Sequence, residues 1–233
     1  MKEPDLYQFS VFEQWTLYDR IVRNNYMKHD EISKSISDAI RHVSNTRQVW
    51  DLGCGCGLMA LKILKTLQVE SYLGIDLADS GLSRVSASLF GVVGEIETRN
   101  AELTSFLKET HEWSPSLILA SFSLHHFQFD EMAEVLGRIR DQMDENCHLI
   151  WVDPQRKSHE SREEFIRRFM FDVASTWEDL EPSEVLQVEE HMLSSDFPLD
   201  ASEQDSLLTK IGFSTISECY RDSFFSAKVL TKS

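Results

Sequence analysis

The chain has 233 residues, 42% of them hydrophobic, enough to build one large α/β domain and an argument against global disorder. Its 39 Asp and Glu against 23 Lys and Arg leave a formal net charge of −16, which repels phosphate backbones, so no nucleic-acid partner is expected. No apolar run reaches the length of a membrane-spanning helix, and the polar start Met1-Lys2-Glu3-Pro4-Asp5 lacks a signal-peptide core. Cys54, Cys56, Cys147 and Cys219 form no CxxC pair and no zinc-like spacing. With no compact His/carboxylate cluster evident either, no metal site is expected, and a reducing, cytoplasmic setting fits best.

Phe12, Trp15, Tyr18, Val22 and Tyr26 recur at helical spacing between about Phe9 and Tyr26. Tyr18 and Tyr26, eight apart, share a face that either closes over a ligand or packs as an aromatic stripe on the core. A second helix is expected from about Asp30 to Val43, with Ile32, Ile36, Ile40 and Val43 on one side. Gln48–Leu52 reads as a strand, followed by glycines at 53, 55 and 57 and a helix over Leu58–Leu67. Next come a strand over Ser71–Ile75 ending at Asp76, a helix over Ser80–Phe90 and a strand over Glu95–Thr98. A strand over Leu117–Ala120 leads into Ser121–His126, then a helix over Phe129–Met143 and a strand over Cys147–Val152 closed by Asp153-Pro154.

This alternation implies a parallel sheet with helices on both faces, doubly wound by right-handed crossovers. Residues 155–213 carry helical patterns and no clear strand. Ser214–Cys219 and Phe224–Leu230 then read as two antiparallel strands joined at Arg221-Asp222. The expected organisation is one domain: an N-terminal helical lid over 1–45, a cofactor-binding core over 46–154, a helical cap insertion over 155–213 and a terminal hairpin over 214–233.

The glycine loop follows a strand and opens a helix, the setting in which backbone N–H groups meet a ligand. A dinucleotide fingerprint would need its third glycine at position 58, which is Leu58. Asp51 places an anion at the mouth of the loop, unhelpful to a pyrophosphate and compatible with a cationic ligand. Asp76 stands where a ribose-binding acid belongs, although the same position also suits a helix cap.

Asp51-Leu52-Gly53-x-Gly55-x-Gly57 resembles the first motif of class I S-adenosylmethionine-dependent methyltransferases. Gly74-Ile75-Asp76-Leu77 resembles their ribose-binding motif, and Asn100-Ala101-Glu102-Leu103 the segment lining the adenine. Leu119-Ala120-Ser121-Phe122-Ser123-Leu124-His125-His126-Phe127 is similar to the fourth-strand motif of many small-molecule members. The resemblance covers roughly 48–152 and the final hairpin. It implies a Rossmann-like seven-stranded sheet in the order 3-2-1-4-5-7-6, mostly parallel with a C-terminal antiparallel hairpin. It also implies S-adenosyl-L-methionine as cofactor, S-adenosyl-L-homocysteine as product and a small-molecule methyl acceptor.

On the cofactor side the resemblance gives Gly53, Gly55 and Gly57 the backbone approach to the methionine portion and Asp51 the support of its ammonium. Asp76 takes the ribose hydroxyls, and Leu77 packs on the adenine. Ala101 and Glu102 flank the ring, with Asn100 or Glu102 reaching its amino group; as surface residues, these two would do neither. Ser121 lines the methionine end and Tyr18 closes over the sulfonium.

In-line displacement needs an acceptor held at near-attack distance and a group to remove its proton. His125 or His126, at the cleft rim, is the candidate base, the alternative being that one orders the loop and the other packs. Asp153 either faces the acceptor or starts a loop. Tyr26, His125 and Arg167 are the candidate acceptor contacts. Arg167 belongs to a basic group with Arg156, Lys157, Arg162 and Arg168, which either meets an anionic acceptor or pairs with Glu160, Glu163 and Glu164. Three rivals stand beside methyl transfer to a small molecule. A nucleic-acid or protein methyltransferase often carries Asn/Asp-Pro-Pro-Tyr/Phe where this chain has Ala120-Ser121-Phe122-Ser123. The others are carboxymethyl-type chemistry on the same cofactor and a non-catalytic protein that retains the fold.

Overall fold

The structure, a computed structural model, describes residues 15–41 and 46–233. Seven strands form one sheet: β1 Gln48–Leu52, β2 Val69–Asp76, β3 Val93–Asn100, β4 Leu117–Ser121, β5 His148–Pro154, β6 Phe213–Arg221 and β7 Phe225–Lys232. Their order is β3-β2-β1-β4-β5-β7-β6, the order implied by the resemblance. β1 to β5 run parallel, while β7 is antiparallel to both β5 and β6.

The strands alternate sides with period two. Val49, Leu117, Leu119, Ile150 and Val152 join one hydrophobic layer. Trp50, Leu52, Ile118, Ala120, Leu149 and Trp151 join the other. Both faces are therefore covered, as a parallel sheet requires. The first layer receives α2 (His29–Ala39), α3 (Leu58–Leu64) and α4 (Asp79–Ser88), together with α1 (Trp15–Arg23). The second receives α5 (Leu103–Phe106) and α6 (Phe129–Gln142). The four-residue α5 escapes sequence reading because, at barely one turn, it cannot repeat a helical pattern. The expected helical positions Phe12 and Val43 lie outside the described residues.

Two boundaries differ from expectation for tertiary reasons. β5 continues through Asp153 and Pro154 because β7 pairs with it there, Asp153 opposite Ser226 and Pro154 opposite Phe225. The hairpin turns at 222–224 rather than at Arg221-Asp222, because Asp222 Oδ1 accepts the N–H groups of Phe224 and Phe225 at 2.7 Å each.

The helical block after β5 divides between the two faces. α7 (Arg162–Thr176) and α8 (Pro182–Ser195) bury Phe165, Phe169, Val173, Val188 and Met192 in the first layer. α9 (Ala201–Ile211) buries Leu207 and Leu208 in the second, so it covers the sheet and is no part of a cap. Ser161 and Glu164 form a capping box at the start of α7, and Asp200 and Glu203 form one at the start of α9. Each cap contributes about 1 kcal/mol, whereas each fully buried Phe or Ile contributes about 1.5–3 kcal/mol, so apolar burial decides where these helices dock. α1 is fastened to the α7–α8 pair by an Arg20–Glu184 ion pair, by Asn24 donating to Asp179 and by Tyr26 stacked on Trp177 at 4.9 Å. Among the described residues, no helix is long and apolar enough to cross a membrane.

Candidate active site

The carboxyl ends of β1 and β4 diverge at the switch point of the sheet, and a cavity of about 820 Å³ opens there. Gly53, Gly55 and Gly57 all take positive φ, at 76°, 52° and 76°. The conformation matters most at Gly53, where an added Cβ would lie 2.4 Å from Cβ of Ser123. The loop is tied to the second strand: Gly55 N–H donates to Asp76 Oδ2 at 2.7 Å, and Ala78 N–H to Asp76 Oδ1 at 2.8 Å. Each carboxylate oxygen keeps one lone-pair direction for a further donor. Asp51 is buried beside this loop and accepts Tyr72 O–H at 2.7 Å. Burial pushes its carboxyl up to about 7; the Tyr72 hydrogen bond opposes this and the Asp76 charge adds to it. Burial likewise raises the Tyr18 phenol, with Cys56, Asp76 and Asp51 adding to it. Leu77, Ala101 and Glu102 line the outer end of the same cavity, with Leu77 43% exposed.

The inner end is built on the segment after β4. Phe122 sits at φ 56°, an unusual conformation for an aromatic residue, held by its N–H donating to Val152 O at 2.7 Å. A 3-10 turn at Leu124–His126 then presents both histidines. His125 Nδ1 lies 2.7 Å from Asp153 Oδ1, while Trp151 Nε1–H donates to Asp153 Oδ2 at 2.6 Å. The carboxylate accepts a hydrogen bond from Nδ1–H of the ring, which leaves Nε2 facing away from it. Asp196, just past α8, brings Oδ1 to 3.6 Å from His125 Nε2, 3.3 Å from His126 Nδ1 and 3.4 Å from His191 Nε2. Phe197 N–H donates to His125 O at 2.6 Å and locks the two segments together.

The electrostatics of this group follow from burial. Desolvation alone would lower the His125 pKa, but the charges of Asp153 and Asp196 override it and raise it. Desolvation wins at His191, which falls to about 4. Asp196 is held at about 2, since His125, His126 and His191 outweigh the burial that would raise it. Phe122, Phe169, Trp177 and Phe225 wall the cavity alongside, packed edge to face.

Tyr18, Asp51, Gly53, Gly55, Asp76 and Leu77 line this one cavity, as do Ala101, Glu102, Ser121, His125 and His126. Five expected site residues do not. Gly57 faces Val85 and Leu89 at the start of α3. Asn100 is turned outward, donating to Leu77 O and to Asp79 Oδ1 at 2.6 Å, so it pins the loop after β2. Asp153 is buried behind His125. Tyr26 is spent on Trp177 and accepts Asp179 N–H at 3.0 Å. Arg167 is exposed on α7. The other basic groups of the insertion serve structure: Arg162 donates to the carbonyls of Met192, Leu193 and Asp196, Arg156 to Pro198 O, and Arg168 pairs with Glu160.

The expectation of no compact His/carboxylate cluster is corrected: His125, His126 and Asp196 place one ligand atom each within 4.8 Å of one another. Sequence reading missed His191 and Asp196 because neither carries a motif. The available signal was a histidine set among Val188, Met192 and Ser195 on one helical face.

Residues 50–149 match a family profile described as a methyltransferase domain. A carboxy-S-adenosyl-L-methionine synthase of Shewanella sp. (strain ANA-3) is 23% identical over 221 residues, covering 93% of this chain and 89% of the relative. The plantazolicin methyltransferase BpumL, solved with a desmethylPZN analog and SAH, superimposes with TM-score 0.68 at 15% identity, over 97% of this chain and 92% of that one. Magnesium protoporphyrin IX methyltransferase (ChlM) from Synechocystis PCC 6803, solved with SAH, gives 0.64 at 13% identity, over 98% and 97%. Residues 50–149 thus match a methyltransferase domain, and the fold around them is similar to that of class I S-adenosylmethionine-dependent methyltransferases.

Proposed function

We propose that the cavity binds S-adenosylmethionine along Asp51, Asp76, Leu77 and Glu102 and transfers its methyl group to a small, largely apolar acceptor. Asp76 takes the ribose hydroxyls and Asp51 the ammonium, with Leu77 and Ala101 beside the adenine. Tyr18 and Ser121 enclose the methionine end. The nucleophilic atom of the acceptor meets His125 and His126, with Asp153 positioning the first of these rings. The methyl carbon forms its new bond to that atom as the S–C bond breaks and its electron pair returns to sulfur, while the acceptor's proton leaves past the histidines to water.

One observation carries the acceptor class. Beside the histidines the cavity is walled by Phe122, Phe169, Trp177 and Phe225, and no Lys or Arg lines it among the described residues. An anionic acceptor would lose its hydration there without a cationic partner. The name of the Shewanella relatives suggests a second reading, a product with an added carboxylate at the methyl position. The same lack of Lys and Arg favours methyl over carboxymethyl chemistry, and the product mass distinguishes them.

Calorimetry tests the cofactor half. Asp76→Ala is expected to weaken S-adenosylmethionine by about 1–3 kcal/mol through lost charge-assisted hydrogen bonds. An unchanged dissociation constant rejects the ribose assignment. For the acceptor half, His125→Ala is expected to lower turnover by at least about 100-fold while leaving cofactor affinity within about threefold. A loss of only a few-fold removes His125 from the chemistry.

A further inference from the structure

We propose that His125, His126 and Asp196 form a binding site for one divalent transition-metal ion of the zinc class, with an open coordination position facing the cavity. Two imidazole nitrogens and one carboxylate oxygen make a donor set suited to zinc and its neighbours. Bonds of about 2.0–2.1 Å at a tetrahedral angle separate their donor atoms by about 3.4 Å. Asp196 Oδ1 stands 3.6 Å from His125 Nε2 and 3.3 Å from His126 Nδ1. These spacings exceed the 2.7–2.9 Å or so of a charge-assisted hydrogen bond and match the edge of a metal tetrahedron. The carboxylate oxygen is buried among the imidazole nitrogens at 3.3–3.6 Å, and His126 Nδ1 also lies 3.1 Å from Ser195 O, a contact the ring gives up to bind an ion.

The surroundings have the form of a metal centre. His125 turns Nδ1 to Asp153 and Nε2 to Asp196, the carboxylate–histidine–metal arrangement, with Trp151 fixing the outer carboxylate. A divalent ion there would stand beside both the Asp196 and Asp153 carboxyl groups, inside a wall of low polarity. The Phe197-to-His125 backbone bond holds the ligands from distant segments in register before an ion arrives. All three ligands line the cavity, so the fourth position is accessible to a molecule held there.

The function of the ion rests on the methyl-transfer reading, whereas its binding does not. An acceptor hydroxyl or thiol that coordinates the ion loses its proton to water and is held as an anion beside the sulfonium. Its lone pair then forms the bond to carbon as sulfur recovers the S–C pair.

Metal-free protein titrated with zinc chloride in a competitive chromophoric chelator assay is expected to take up one tightly bound equivalent per chain. Asp196→Asn and His126→Ala are each expected to weaken that equivalent at least 30-fold. His159→Asn, at an exposed histidine outside the cavity, is expected to leave it unchanged. Circular dichroism establishes that each variant is folded. If either variant is unfolded, cobalt substituted into wild-type protein is read instead, with intense four- or five-coordinate visible bands expected. The proposal is overturned if wild type binds no stoichiometric zinc, if a folded variant retains wild-type affinity, or if cobalt gives only the weak spectrum of the aqueous ion. Cofactor calorimetry on the same metal-free protein reports separately on the methyl-transfer reading.

Discussion

Ligand-free Asp51→Asn protein is expected to be about 2–4 kcal/mol more stable than wild type at pH 7, and to bind S-adenosylmethionine more weakly. The buried Asp51 carboxyl holds its proton up to about pH 7, whereas in the unfolded chain it ionises near its ordinary value of 3.8. Between those values the native state binds more protons than the unfolded state, so stability falls as pH rises. The contribution is complete below about pH 4 and is lost by the time pH passes 7. Asparagine resembles the protonated acid, keeps an acceptor for Tyr72 O–H and has no proton to lose. Urea midpoints from pH 4 to 8 measure the effect. The wild-type and variant curves should diverge as pH rises; parallel curves would sink the argument. On the proposed placement of the cofactor ammonium beside Asp51, the carboxylate that costs stability in the empty protein would strengthen binding in the loaded one.

Gly53→Ala is the second large effect, with an expected destabilisation of about 2–4 kcal/mol. Part of it, about 1 kcal/mol, comes from placing a side chain at φ 76°. The rest comes from contact: the new methyl would sit 2.4 Å from Cβ of Ser123, an atom fixed to the backbone. Ser123 is itself anchored by Oγ–H donating to Leu52 O at 2.7 Å, so relief requires the segment after β4 to move. His125 and His126 ride on that segment, so the substitution should lower turnover along with stability. The two contributions are separable. Adding Ser123→Gly to Gly53→Ala removes the collision but leaves the backbone strain, so the double variant should recover part of the loss. A double variant no more stable than the sum of the two singles would show that the clash is not its source.

Most of the sheet was legible in advance because its signals are local. Gln48–Leu52 spans the same residues in the sequence pattern and in the structure, since four consecutive buried positions, Val49 to Leu52, bounded by a glycine leave little choice. β3 is longer than its pattern predicts because exposed Glu95, Glu97 and Thr98 dilute the apolar signal of an edge strand. Asp76 was legible because its place depends on the length of one crossover. Asn100 was not, because nothing local to it in the chain announces that the loop after β2 holds its side chain, through Leu77 O and Asp79. Tyr26 shares a helical face with Tyr18, yet the helix ends at Arg23, and the chain turns Tyr26 onto Trp177 instead.

The sequence by itself determined the architecture and the glycine-loop end of the cavity. Period-two burial, a loop of positive-φ glycines and an acid at the end of β2 are all written within single elements or between neighbours. Only the tertiary structure decided the histidine end. It brought Asp196 and His191 of the insertion against His125 and His126, turned Arg162 and Arg168 to structural use, and left the cavity walled by aromatic rings. The physical reason is the range of the forces involved. Helix and strand patterns follow from periodic burial along the chain, whereas the role of a buried histidine or carboxylate depends on which charges lie a few ångströms away. Those neighbours are chosen by the docking of α7 and α8, far along the chain.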